Sequence, residues 1–316
     1  MVDLSLLLPI AALRPEQAVP FANLVRYTGY ERLWQGQTPV IGNYQVAAWL
    51  AGLGIRVPTG FGVNVMPLTT PYQAAHETRS LALATGQSVS ASFGPGYPAL
   101  QKRVTGKSYA SPLTATREFV QAVRGLVRGE SVEQPEAEYF PITAGLPAVP
   151  CPPIRIGIGV LRPKMARLAG EIADEAVMWM CPPDYLRDVL VPAVKDGAKD
   201  RGRPPRITAM IPCALAADGR DPVQLALGTC GLHMSAAHYQ DALRHAGHTV
   251  TGSEDDVQKI TDAGLFLYGT PRDIHDGIAR FADAGVDEVV LNMVGVAGAD
   301  GIRKTAADLE RIISTV

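Results

Sequence analysis

The sequence predicts an α/β fold, a (β/α)8 TIM barrel with insertions after strands 4 and 7. Three observations carry this. Eight short apolar runs alternate with amphipathic stretches of helical length, the pattern of parallel strands joined by crossover helices. No Gly-x-Gly-x-x-Gly turn follows the first strand, which argues against a doubly wound dinucleotide-binding sheet. The longest interruptions, 97–153 and 217–269, follow strands 4 and 7 and are expected over the C-terminal face, where barrel active sites are built. Barrels of this length are commonly one domain, so 1–316 is read as a single unit.

Each element has a local reason. Leu4–Ile10 is an apolar run and reads as strand 1. Pro15 and Glu16 suit the first turn of a helix running to about Thr28. Arg32–Gln37 is a short second strand, and Asn43 is a candidate N-cap for a helix to Leu53. Ile55–Met66 is strand 3, interrupted by Gly60 and Gly62; Pro71–Ala84 follows as a helix and Ser88–Phe93 as strand 4. Within 97–153 one helix stands out, Pro112–Arg128. The rhythm then resumes with strand 5 at Ile154–Gly159, a helix at Pro163–Ile172, strand 6 at Glu175–Met180 and a helix at Asp184–Arg201. Strand 7 is Ile207–Ala216, followed by helical stretches at Pro222–Ala246 and Ser253–Ala263. Thr270 caps a helix to Ala284, Glu288–Met293 is strand 8, and Ile302–Ile313 closes the chain.

Composition narrows the function. The chain is 47% hydrophobic and 19% charged, values of a folded globular protein. Its 29 basic and 31 acidic residues give a net charge of −2, so no nucleic-acid partner is expected. The four cysteines, Cys151, Cys181, Cys213 and Cys230, form no Cys-x-x-Cys pair and are too sparse for a disulfide scaffold; they read as reduced thiols of a cytoplasmic protein, with Cys181 and Cys213 in the core. The apolar start carries Asp3, lacks a basic flank and stops at Pro9, so it reads as a strand, not a signal peptide. No run of about 18 apolar residues points to a membrane. His238 and His245 lie seven apart on one helical face, but no third ligand follows at metal spacing, and no metal is expected. One histidine among His233, His238, His245 and His248 facing substrate stays an open alternative.

Two glycines inside strand 3, in Gly60-Phe61-Gly62-Val63-Asn64-Val65-Met66-Pro67, cost stability unless a bulge or a close-lying ligand needs them. This segment, with Leu68, Pro71 and the later Ser88–Gly96, resembles the bacterial luciferase-like superfamily. A second resemblance is the strand, glycine loop and helix start Ile156-Gly157-Ile158-Gly159-Val160-Leu161-Arg162-Pro163-Lys164-Met165, most like the methylenetetrahydromethanopterin reductases of the deazaflavin branch. A third is Gly269-Thr270-Pro271 followed by Ala284-Gly285-Val286-Asp287. Together these span most of the chain, from strand 1 to strand 8.

The resemblance implies a flavin- or deazaflavin-dependent oxidoreductase that assembles as a homodimer and takes a small-molecule or peptide-like substrate. It implies coenzyme F-420 (8-hydroxy-5-deazaflavin), with FMN as the alternative. It places a non-prolyl cis peptide at Gly62–Val63, against the cofactor ring. Cofactor contacts are expected at Gly62, Val63, Asn64, Ser92, Phe93 and Gly94, and, around the phosphate, at Gly157, Gly159, Val160, Arg162, Lys164 and Met165. A helix N-terminus with free N–H groups suits that phosphate. Strand 2 of the family often ends Trp-x-x-Asp-His; here Gln37 and Thr38 stand in those places, and neither works as an acid near neutrality. The expected roles are therefore Gln37 as a hydrogen-bonding group and Tyr97 as the proton donor. The reaction expected is hydride transfer from reduced F-420 to a C=C or C=N bond. The alternatives are an FMN-dependent monooxygenase and a non-catalytic flavin-binding barrel.

Overall fold

The computed structural model describes residues 2–315. β1 (Asp3–Leu7), α1 (Val19–Tyr27), β2 (Leu33–Gln35), α2 (Asn43–Gly52), β3 (Thr59–Val65), α3 (Pro71–Thr85) and β4 (Val89–Gly94) open the chain. Then come α4 (Pro98–Thr105), α5 (Pro112–Val127), the strands β5 (Ser131–Gln134) and β6 (Ile142–Gly145), β7 (Ile154–Val160), α6 (Pro163–Ile172) and β8 (Glu175–Trp179). The remainder is α7 (Pro183–Tyr185), α8 (Val191–Gly197), β9 (Arg206–Leu215), α9 (Pro222–Met234), α10 (Ala237–His245), α11 (Asp256–Asp262), β10 (Leu267–Gly269), α12 (Pro271–Asp283), β11 (Glu288–Asn292), α13 (Val294–Asp300) and α14 (Ile302–Ile313). The fold is the (β/α)8 barrel that the alternation predicts, with β10 as an added strand beside β9. The chain divides into two compact units.

The first unit holds the residues up to Trp34, Met178–Pro192 and those from Arg206 onward. Its strands are all parallel, in the order β10-β9-β11-β1-β2, with Leu4 opposite Val289 and Val290 opposite Met210. A buried carboxylate organises the middle of this sheet. Glu288 is 0% exposed and accepts from Ser5 Oγ at 2.6 Å, Trp34 Nε1 at 2.7 Å and Arg206 Nε at 3.1 Å. Arg32, 1% exposed, stands 3.6 Å away as a further ion pair. A buried charge persists only when paired and hydrogen-bonded in this way. α12 shows the predicted cap: Thr270 Oγ1 accepts from the Asp273 N–H, and the Asp273 carboxylate accepts from the Thr270 N–H at 2.7 Å. Ile274, Ile278 and Phe281 then face the core at helical spacing.

The second unit, Gln35–Val177 with Ala193–Pro205, holds β3, β4, β7 and the start of β8. Val89 pairs with Ile154 and Ala91 with Ile156. One face of the sheet carries Phe93 against Phe119 of α5, ring centroids 5.1 Å apart. The other carries Ser90, whose hydroxyl donates to Glu175. Within 97–153, α5 is the crossover from β4 to β7. Only 97–111 therefore follows the C-terminal end of a strand; the hairpin β5–β6 follows the C-terminal end of α5. Glu118 of α5 holds that hairpin, accepting from the N–H groups of Glu138, Tyr139 and Phe140.

Several boundaries differ from the sequence reading for identifiable reasons. The helix expected over Pro222–Ala246 breaks after Met234, because Ser235 bonds back to the Gly231 carbonyl and Ala236 is extended. The stretch Asp184–Arg201 begins at Pro183, widens into a π turn at Leu186–Leu190 and ends at Gly197. Asn43 is not the N-cap of α2; Gly42 is, and the Asn43 side chain is bonded to Asn64 instead. The sequence reading does not include the short pair β5–β6, β10, α4 or α13, each only three to eight residues long.

Candidate functional site

The site is built on the C-terminal ends of β3, β4 and β7. β3 and β4 pair with Phe61 opposite Ala91 and Asn64 opposite Phe93, so Gly62 and Val63 together oppose the single residue Ser92. This is a bulge, and the bond between Gly62 and Val63 is cis, as the resemblance implies. Bulges reset which face a side chain takes. Phe61 rests on the Tyr44 ring, centroids 4.2 Å apart, and Asn64 donates to the hydroxyl of the same Tyr44 at 3.2 Å. In a regular strand these two positions would face opposite ways.

The consequence falls on Val63, which turns to the other face. A Cβ built on Gly94 would stand 3.1 Å from Val63 Cγ2, and one on Gly159 3.0 Å from Val63 Cγ1. The side chain therefore sits in a seat left by two glycines, Gly94 on the adjacent β4 and Gly159 on β7 one strand further. Gly62, Val63 and Gly159 are half-buried, so this seat is the floor of an accessible surface. Beneath it, a Cβ on Gly157 would meet Ser92 Oγ at 2.1 Å. Ser92 is fully buried and its hydroxyl has no hydrogen-bond partner among the described residues.

The structure sorts the expected contacts accordingly. Ser92, Phe93, Gly157 and Val160 are buried; Phe93 and Val160 are core, and Gly157 makes room for Ser92. Asn64 has its side chain committed to Tyr44 and Asn43, with Asn43 Nδ2 donating to it at 2.9 Å. Tyr44, which sequence reading missed, anchors this network; burial pushes its phenol well above the ordinary range, so it stays protonated. Its signal was an aromatic residue in the first turn of α2, not separable from ordinary core packing.

Gln37, expected to meet cofactor or substrate, is exposed and bonded through one atom of its amide. Its Oε1 accepts the Val65 N–H at 2.6 Å, two residues after the cis bond, and so pins the end of β3. Thr38 donates to the Ile41 carbonyl within its own turn. Tyr97 directly follows Gly94-Pro95-Gly96 beyond β4, is the N-cap of α4, and is 45% exposed.

The β7 strand that carries Gly159 runs into α6 within three residues. Arg162 is the N-cap of α6 in extended conformation and Pro163 is its first residue. The Arg162 side chain makes no cap hydrogen bond to this helix, whereas Thr70, Ser111, Asp221 and Thr270 cap α3, α5, α9 and α12. Arg162 and Lys164 are exposed and Met165 is half-buried. The end therefore presents amides, positive dipole and two cationic side chains to solvent, a donor set suited to a phosphate.

The sequence pattern of the luciferase-like monooxygenase family matches residues 8–288. The chain belongs to that family. A 5,10-methylenetetrahydromethanopterin reductase of Methanolobus tindarius is 29% identical over 194 residues, 59% of this chain and 56% of the relative. The chain thus matches little more than half the length of that relative. Among solved structures, an F-420-dependent secondary alcohol dehydrogenase in complex with an F-420–acetone adduct superposes with a TM-score of 0.74 at 19% identity, covering 98% of this chain and 99% of the other. The oxygenating constituent of 3,6-diketocamphane monooxygenase of Pseudomonas putida, in complex with FMN, gives 0.69 at 14% identity, covering 100% and 99%. Among the described residues, no helix is long and apolar enough to cross a membrane.

Proposed function

We propose that this chain is a reductase using reduced coenzyme F-420, delivering a hydride to a C=C or C=N bond of an organic substrate. One observation carries the reading. The Val63 seat, through Gly159, and the cationic start of α6 meet on β7, so a flat ring and a phosphate tail could be held by a continuous surface. The bound cofactor supplies the hydride; the chain's work is to hold, orient and exclude water.

The residues divide that work. Val63, seated between Gly94 and Gly159, supports the ring plane. The amides of Lys164 and Met165, with the Arg162 and Lys164 side chains, take the phosphate. Gln37 holds the end of β3 through the Val65 N–H and carries no proton. Tyr97, exposed beyond β4, is the proton donor to the reduced substrate. The likeness to an FMN-bound monooxygenase supports the second reading, an FMN-dependent oxygenase on the same surface.

Titration of the purified protein with F-420 and with FMN, followed by absorbance and fluorescence, separates the two. The expected result is F-420 binding at least tenfold tighter than FMN. Tighter FMN binding overturns the reductase reading in favour of the oxygenase.

A further inference from the structure

We propose that Trp179, His233 and Tyr239 form a binding site for an uncharged, planar carbonyl compound, with the Trp179 indole N–H donating to the carbonyl oxygen. The inference deepens the proposed reductase activity by naming its substrate class, and it rests on that reading only for calling the ligand a substrate. Trp179 is the last residue of β8, and barrel enzymes gather their substrate groups at strand C-terminal ends. The next residue, Met180, turns the chain with φ 54, a conformation that a side-chain-bearing residue rarely takes.

The three rings make two edge-to-face contacts. His233, in α9, crosses Trp179 at 73° with centroids 5.2 Å apart and crosses Tyr239 of α10 at 89° and 4.9 Å. His238 tilts against Tyr239 at 4.4 Å. Two nitrogens in this cluster, Trp179 Nε1 and His233 Nδ1, are buried without a hydrogen-bond partner among the described residues. A buried polar atom left unpaired costs about 1–3 kcal/mol, so two in one aromatic cluster call for a ligand atom. An indole nitrogen only donates, which requires an acceptor.

Charge selects the rest. Burial, and then the neighbouring His238, push the His233 pKa down to about 4, so the imidazole is neutral at pH 7. Tyr239 is pushed above its ordinary range by burial, and Cys181 likewise, to about 12. The groups are thus uncharged, which disfavours both an anion and a cation. Aromatic walls with one donor suit a flat enone, whose carbonyl oxygen meets the donor and whose conjugated C=C bond is of the kind the proposed hydride transfer reduces.

The test uses the full chain with 15N-labelled tryptophan. 1-Indanone is the probe, and indane, the same shape without the carbonyl, is the control. Trp179→Phe identifies the indole cross-peak by its disappearance. Expected are a saturable downfield shift of that peak with 1-indanone, weaker binding of indane by at least fivefold, and a three- to tenfold loss of 1-indanone affinity in Trp179→Phe and in His233→Phe, roughly the loss of one hydrogen bond. F-420 affinity, measured on the same samples, should stay unchanged in both variants. An unmoved Trp179 peak, equal binding of indane, or no binding of 1-indanone up to its solubility overturns the proposal. Failure of F-420 to bind would instead remove the reductase reading and leave the ketone site standing.

Discussion

Gly159→Ala tests whether the seat under Val63 is what shapes the cofactor surface. The new methyl would lie 3.0 Å from Val63 Cγ1, and Gly94→Ala would put one 3.1 Å from Val63 Cγ2. Carbon atoms rest at about 3.5–4.0 Å. Each substitution therefore demands a shift of roughly half an ångström by Val63 or its neighbours. Overpacking of this kind costs about 1–3 kcal/mol. Val63→Ala removes both methyls, so the same glycine substitutions should be nearly neutral in that background. The double-mutant cycle should then show a coupling of about 1–2 kcal/mol, within the range for residues in direct contact. Urea unfolding measures the cycle, and F-420 fluorescence titration measures its effect on binding. The expectation is a roughly tenfold loss of F-420 affinity in Gly159→Ala, largely restored by adding Val63→Ala. A coupling below about 0.5 kcal/mol, or F-420 affinity unchanged in Gly159→Ala, refutes the reasoning.

Four further outcomes follow from the same structure. Glu288→Gln, which removes the buried negative charge that Arg32 and Arg206 both face, should destabilise by about 3–5 kcal/mol in urea unfolding. Arg162→Ala and Lys164→Ala should each weaken F-420 binding by roughly tenfold, with a loss that shrinks as salt rises. Tyr97→Phe should slow single-turnover oxidation of reduced F-420 by roughly 10²-fold or more, and Gln37→Ala by only about tenfold, acting through the end of β3. His233 has its folded pKa lowered, so the unfolded chain takes up its proton first as pH falls. Stability should therefore be full above about pH 6.5 and decline toward pH 4 by up to about 3 kcal/mol, while His233→Asn, facing the same His238, Tyr239 and Trp179, should lack this decline.

The barrel was legible because its signals are local. Thr270-Pro271 reads as a capped helix start, and the structure adds Asp273 as the reciprocal partner of the cap. Periodicity likewise locates α14, Ile302–Ile313, to the residue. What was lost lay where a side chain's partner is distant in sequence. Asn43 carries the right chemistry for an N-cap, yet Asn64 takes its amide. Gln37 is a plausible ligand group by position, and its bond to the Val65 amide, 28 residues away, could not be read from the local sequence.

The glycines make the same point about the site. In the sequence, Gly157 and Gly159 look alike: alternate residues of one strand, each free to let a ligand come close. In the structure they do different things. Gly157 lacks a side chain because Ser92 occupies that space, a matter of layers inside the sheet. Gly159 lacks one because Val63 has been turned toward it by a bulge two strands away, and that turn brings Val63 to the surface. A glycine near a cofactor site is thus not always a place where the ligand touches backbone. Here Gly94 and Gly159 act one step removed, by seating the side chain that the ligand would meet. That is why the decisive substitution pairs each glycine with Val63: direct contact would make Gly159→Ala harmful whatever stands at position 63, whereas seating makes the harm depend on the valine.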